Sequence, residues 1–81
     1  MPTEPSTVSR EFVELLSQVA EVPQDKIEPT SAFKADLDID SLTLVEVFTA
    51  TETQWGISIS EEDSAGFATV NDVVEYLSTR A

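Results

Sequence analysis

Eighty-one residues without cysteine or histidine, at a formal net charge of −12, exclude a good deal before any motif is read. A chain this short hides only about 60% of its unfolded surface around one small core, and it can build no disulfide, thiolate metal site, thiol nucleophile or Ser-His pair. Sixteen acids oppose Arg10, Lys26, Lys34 and Arg80, and residues 35 to 79 carry ten acids and no base. Nucleic acid and anionic membrane surfaces, which demand clustered lysine and arginine, are thereby disfavoured. The natural partners are basic protein surfaces, approached under electrostatic steering. No apolar run approaches the ~20 residues that span a bilayer, and Met1-Pro2-Thr3-Glu4-Pro5 lacks the basic flank and apolar segment of a signal peptide. The expectation is a single cytoplasmic domain over 1–81 with no stable membrane insertion.

Residues 1–6, with two prolines, read as a loose lead. Val8, Phe12, Leu15, Leu16 and Val19 then recur at i, i+4, i+7, i+8 and i+11, which predicts a helix from about 7 to 21 that Pro23 stops. A long connection from Val22 to Asp40 follows, with Val22, Ile27, Phe33, Leu37 and Ile39 expected to pin it to the core and a single helical turn at 24–27. A second helix begins at Ser41 and closes at Gly56. On its wheel Leu44, Val45, Phe48 and Trp55 cluster as the apolar face, with Val47 and Thr51 at the margin. Leu42 stands in the opposite sector with Glu46, Thr49 and Thr53, and Glu52 sits close to the apolar stripe without an evident partner. Ile57-Ser58-Ile59 reads as extended loop. Ser60 caps a short third helix that Gly66 closes, and Thr69 caps a fourth whose stripe is Val70, Val73, Val74 and Leu77. The fold class is all-α, a small bundle of three longer helices and one short one with a long loop between the first two.

The chemistry concentrates at Asp36-Leu37-Asp38-Ile39-Asp40-Ser41-Leu42. Asp36, Asp38 and Asp40 match positions 1, 3 and 5 of an EF-hand loop, but position 6 is Ser41 rather than glycine and position 12 is Val47 rather than glutamate. No metal site is expected. Nucleophilic catalysis is equally unsupported, because Ile39-Asp40-Ser41-Leu42-Thr43 is no nucleophile elbow and two scattered glycines build no phosphate loop. Two readings of Ser41 remain level on spacing alone: a helix N-cap, or a hydroxyl that receives a group. A phosphate ester at that position would meet free backbone N–H groups and the positive end of the helix dipole.

Asp40-Ser41-Leu42, with Asp36-Leu37-Asp38-Ile39 before it and Val45-Glu46 after it, resembles the attachment motif of the acyl carrier proteins. Phe33, Trp55-Gly56-Ile57-Ser58-Ile59, the acidic third helix and Thr69-Val70-Asn71-Asp72-Val73-Val74-Glu75-Tyr76-Leu77 extend the resemblance over nearly the whole chain. It implies a non-catalytic, monomeric carrier. A phosphopantetheinyl transferase would move 4′-phosphopantetheine from coenzyme A, with Mg²⁺, onto Ser41, and acyl intermediates would ride on the arm's thiol. Asp36, Asp38, Asp40, Leu42, Glu46 and Thr49 would face basic docking patches on partner enzymes. Val45, Phe48, Ile59, Phe67 and Val70 would line a shelter for the acyl chain. Ser60 departs from the proline common in the family, as do Thr49, Thr51 and Thr53 from its usual second helix. Residues 36–42 look closest to actinobacterial fatty-acid carriers. A polyketide carrier, a peptidyl carrier of the same fold and an acidic interaction module without a prosthetic group are the alternatives.

Overall fold

Helix ends and apolar spacing explain the architecture of the computed structural model, which describes residues 5–80. Four α-helices follow in order: α1 (Pro5–Ala20), α2 (Ser41–Trp55), α3 (Glu61–Ala65) and α4 (Val70–Arg80), with one 3₁₀ turn at Gln24–Lys26. The first helix starts two residues before the expected position. Proline is well suited to a first helical turn, where its missing N–H has no intrahelical partner to lose. The helix thus takes in residues 5 and 6 of the expected loose lead, and residues 1–4 lie outside the described residues. At the other end Glu21 takes a left-handed φ of 58°, the Ser17 hydroxyl donates to the Val22 carbonyl at 2.6 Å, and Pro23 prevents continuation.

The core gathers Val8, Phe12, Leu15 and Leu16 of α1 with Leu44 and Val47 of α2 and Val70, Val73, Val74 and Leu77 of α4. The first helix packs on both α2 and α4. On α2 the packing corrects the expected stripe. Leu44, Val47 and Thr51 are the buried residues, Phe48 is half-buried, and Val45 is 60% exposed. The buried series runs i, i+3, i+7, which brings Val47 and Thr51 from the expected margin into the contact. Thr51 tolerates complete burial because its hydroxyl donates to the Val47 carbonyl at 2.8 Å. Glu52 also acquires a role: its Oε2 accepts the Ile59 N–H at 2.7 Å and holds the segment after Gly56 against the end of α2. Gly56 itself sits at φ 66°, the left-handed conformation that ends a helix cheaply only with glycine.

The long α1–α2 connection is held by backbone bonds as well as by its apolar side chains. Ile27, Phe33 and Ile39 are buried, with Val22 and Leu37 half-buried against the same core. Helix N-termini need acceptors for their first N–H groups, and this loop supplies them to α4: Val70 donates to the Ser31 carbonyl at 3.1 Å and Asn71 to the Pro29 carbonyl at 2.9 Å. Thr69 and Asp72 complete the end as a capping box. The Asp72 N–H donates to Thr69 Oγ1 at 3.3 Å, while Asp72 Oδ2 accepts the N–H groups of Ala68 at 2.9 Å and Thr69 at 3.0 Å. Phe33 N–H to the Ala68 carbonyl and an isolated antiparallel bridge between Ala32 and Thr69 seal the join.

The short α3 has no buried residue of its own. It is capped by Ser60, whose hydroxyl accepts from Asp63 N–H at 3.0 Å. Tyr76 tethers it, donating its hydroxyl to Asp63 Oδ2 at 3.1 Å beneath the Arg80 guanidinium, which lies 3.9 Å from the tyrosine ring centre. Five rings run edge-to-face across the molecule, Phe12 to Phe33 (6.3 Å between centroids), Phe48 (6.1 Å), Phe67 (5.6 Å) and Tyr76 (5.1 Å). Each such pair adds about 0.5–1.5 kcal/mol beyond its buried area, so the ladder couples α1, the long loop, α2 and α4.

Candidate functional site

Ile39 organises the approach to α2. Its side chain is buried and its N–H donates to the Phe33 carbonyl at 2.9 Å, so residues 33 and 39 lie side by side and the chain between them forms a closed turn. Inside that turn Asp36 Oδ2 accepts the Ala32 N–H at 2.7 Å, and Asp38 occupies a left-handed φ of 54°, a conformation aspartate tolerates better than most residues. Asp40 then leaves the turn in extended conformation and its Oδ1 accepts the Thr43 N–H at 2.8 Å. The three aspartates therefore do three different things. Among the described residues no group of three or more His, Cys, Asp or Glu side chains is placed to hold a metal ion.

The cap of α2 is Asp40, not Ser41. The Thr43 N–H, helped by the Thr43 hydroxyl and the Leu42 N–H, holds the Asp40 carboxyl below its ordinary range. Ser41 is the first residue inside the helix, exposed, and excused from capping. Its neighbours on the outer surface follow the spacing i, i+3, i+4, i+7: Leu42, Val45, Glu46 and Thr49 are all exposed, Leu42 by 72%. Val45 belongs to this face rather than to the core. The sequence carried the signal, since Val45 lies three residues beyond Leu42, but the wheel centred on Leu44 and Phe48 drew it inward.

An apolar cleft of about 310 Å³ opens one turn along from Ser41, lined by Ala32, Phe33, Lys34, Ala35, Leu44, Phe67 and Ala68. Of the five residues expected around an acyl chain, Phe67 borders it. The other four do not line it: Phe48 packs edge-to-face on Phe67, Val70 is fully buried, Ile59 is half-buried where its N–H meets Glu52, and Val45 faces outward. Leu44 comes from α2 and Ala68 from the segment before α4, while Ala32, Phe33, Lys34 and Ala35 come from the long loop and were not legible locally, because long-range backbone bonds bring the loop beside residues 67–69.

Residues 10–77 match the family described as phosphopantetheine attachment site. The meromycolate extension acyl carrier protein of Mycobacterium tuberculosis is 39% identical over 77 residues, which cover 95% of this chain and 67% of that protein. The acyl carrier protein of Acidothermus cellulolyticus is 37% identical over 66 residues, 82% of this chain and 79% of its own length. That of Rhodococcus erythropolis is 36% identical over 67 residues, 83% and 74% respectively. Together with the small helical bundle, these matches define a carrier domain rather than a catalyst. The chain belongs to the phosphopantetheine-attachment family as one of its acyl carrier proteins, whose prosthetic group is covalent 4′-phosphopantetheine. Among the described residues no helix is long and apolar enough to cross a membrane.

Proposed function

We propose that Ser41 bears the 4′-phosphopantetheine arm and that this domain presents acyl groups, held as thioesters on the arm's terminal thiol, to the enzymes of a fatty-acid-type pathway in the cytoplasm. The observation that carries this reading is the division between Asp40 and Ser41. The carboxylate closes the helix, so the adjacent hydroxyl is exposed and free to be esterified. A phosphodiester on Ser41 Oγ would lie at the positive dipole end of α2. The residues present thus fit the group.

Partner enzymes and the transferase, which needs Mg²⁺, meet the exposed face formed by Leu42, Val45, Glu46 and Thr49, with Asp36, Asp38 and Asp40 beside it. The carboxylates steer basic patches toward the serine, and the two apolar side chains give the docked complex a short-range contact. Exposed ion pairs are individually weak and screened by salt, which suits a carrier that must release each partner after one step. The domain works as a monomer. The cleft between Phe33, Leu44 and Phe67, with Phe48 packed on both phenylalanine rings, shelters the start of the acyl chain. Resemblance to the mycobacterial meromycolate extension carriers supports service in acyl-chain elongation rather than in polyketide or peptide assembly.

Intact mass after incubation with coenzyme A, Mg²⁺ and a broad-specificity phosphopantetheinyl transferase tests the reading. The wild type gains one arm and Ser41→Ala gains none. An unmodified wild type would leave an acidic interaction module, and modification that persists in Ser41→Ala would move the attachment elsewhere.

A further inference from the structure

Phe67 borders two separate hollows. On one side is the apolar cleft of about 310 Å³ with Phe33 and Leu44, one turn from Ser41. On the other is an open trough of about 540 Å³ between α3 and α4, rimmed by Glu62, Asp63, Asp72 and Glu75. Phe67 is the residue common to both linings. Its backbone is anchored: the Phe67 N–H donates to the Ser64 carbonyl at 3.1 Å, and next to it Ala68 is held at both its N–H, by Asp72, and its carbonyl, by Phe33. The half-buried ring, by contrast, rests on edge-to-face contacts with Phe48 and Tyr76. Rotation of a partly exposed side chain is fast and local, whereas displacing this backbone would break three hydrogen bonds.

We propose that the Phe67 ring is the partition that sets how long an acyl chain this carrier shelters, an inference that rests on the attachment of the arm at Ser41. A methylene takes up about as much room as a water molecule in the liquid, ~30 Å³, so the closed cleft is filled by roughly ten carbons at most. A longer chain has to turn the ring aside and enter the trough. There it meets an open trough rimmed by carboxylates, with the Phe67 and Tyr76 rings as apolar wall, and each further carbon gains little.

The test uses the transferase and Mg²⁺ to move the acyl-phosphopantetheine of an even-numbered series of acyl-coenzyme A thioesters, butyryl to palmitoyl, onto Ser41 with release of 3′,5′-adenosine bisphosphate, confirms loading by intact mass, and reads thermal midpoints by circular dichroism. In the wild type the midpoint climbs with chain length to a break near roughly ten carbons and then levels off. Phe67→Leu moves the break to a longer chain by at least one two-carbon step, and Phe67→Trp moves it to a shorter one. In parallel, the Tyr76 ring resonances shift on loading only for chains beyond the wild-type break, because the displaced Phe67 ring leaves its contact with Tyr76. A break common to all three proteins, a midpoint that does not respond to chain length, or Tyr76 resonances that shift equally for short and long chains overturns the partition. Failure of the mass gain at Ser41 overturns the attachment itself, so the two readings fail separately.

Discussion

Replacing Asp72 by alanine removes one side of the capping box at α4 and leaves the Ala68 and Thr69 N–H groups without their acceptor. Both bonds are charge-assisted, but one is exposed and the other part-buried, so water recovers much of the loss. The cost should match a lost N-cap in the middle of its range, about 1–1.5 kcal/mol at neutral pH. In a domain of this size that is a fall in Tm of roughly 5–10 °C. The pH dependence makes the prediction specific. The Ala68 N–H, then the Thr69 N–H, depress the Asp72 carboxyl below its ordinary 3.8. A depressed carboxylate contributes stability that is fully present above the unfolded value and is lost as pH falls through the folded one. The gap between wild type and Asp72→Ala should therefore be constant from pH 7 down to about 5 and close progressively below 3.8. Urea unfolding of both proteins at each pH measures it, and the difference cancels the titration of the other fifteen acids. Amide exchange should speed up at Ala68 and Thr69 in the variant. A gap below about 0.3 kcal/mol at pH 7, smaller than any lost cap in that range, or one that persists undiminished at acid pH, would refute the assignment.

Three further outcomes follow from equally local features. Gly56→Ala places a side chain at φ 66°; nothing lies within 4 Å of the added Cβ, so the cost is conformational alone, about 1–2 kcal/mol by thermal unfolding, with Gly56→Asn milder. Thr51→Val should leave stability unchanged within about 0.5 kcal/mol or raise it, because the Val47 carbonyl keeps its helical bond when the buried hydroxyl is removed. A loss above about 2 kcal/mol would mean that this hydroxyl has a second, indispensable partner. Glu46→Lys reverses a charge on the exposed face of α2; transfer to a basic partner enzyme should slow several-fold at low salt and converge with wild type at high salt, while the circular dichroism melt is unaltered.

Where pattern and structure agree, the determinants are short-range. The α4 stripe of Val70, Val73, Val74 and Leu77 is buried as its spacing requires, and Thr69, Ser60 and Gly56 end their helices as capping chemistry dictates. The departures arise where a partner chosen by the fold competes with the local pattern. Val45 and Val47 lie on opposite flanks of Leu44 on the helical wheel, and only the position of α1 decides that the Val47 flank goes inward. Glu52 looked misplaced because its partner, the Ile59 N–H, lies seven residues on, beyond the reach of helical spacing. Asp40 and Ser41 are both good caps by residue type, and the turn closed by Ile39 and Phe33 puts the carboxylate in register. The family was legible in a string of residues around Asp40-Ser41-Leu42. The cleft beside it was not, since its walls come from segments more than thirty residues apart.

Handing the closure of α2 to Asp40 separates two economies within adjacent residues. Whatever is bonded to the Ser41 oxygen, the helix keeps its terminal bond and the core beneath keeps its geometry. With the arm on Ser41 as proposed, loading and stripping take place at the margin of the molecule, outside its folding equilibrium, and a worn-out cargo can be exchanged without the scaffold having to be rebuilt. A serine that both closed its helix and received the arm would have tied durability to occupancy, and each delivery would have loosened the platform from which the next one had to be made.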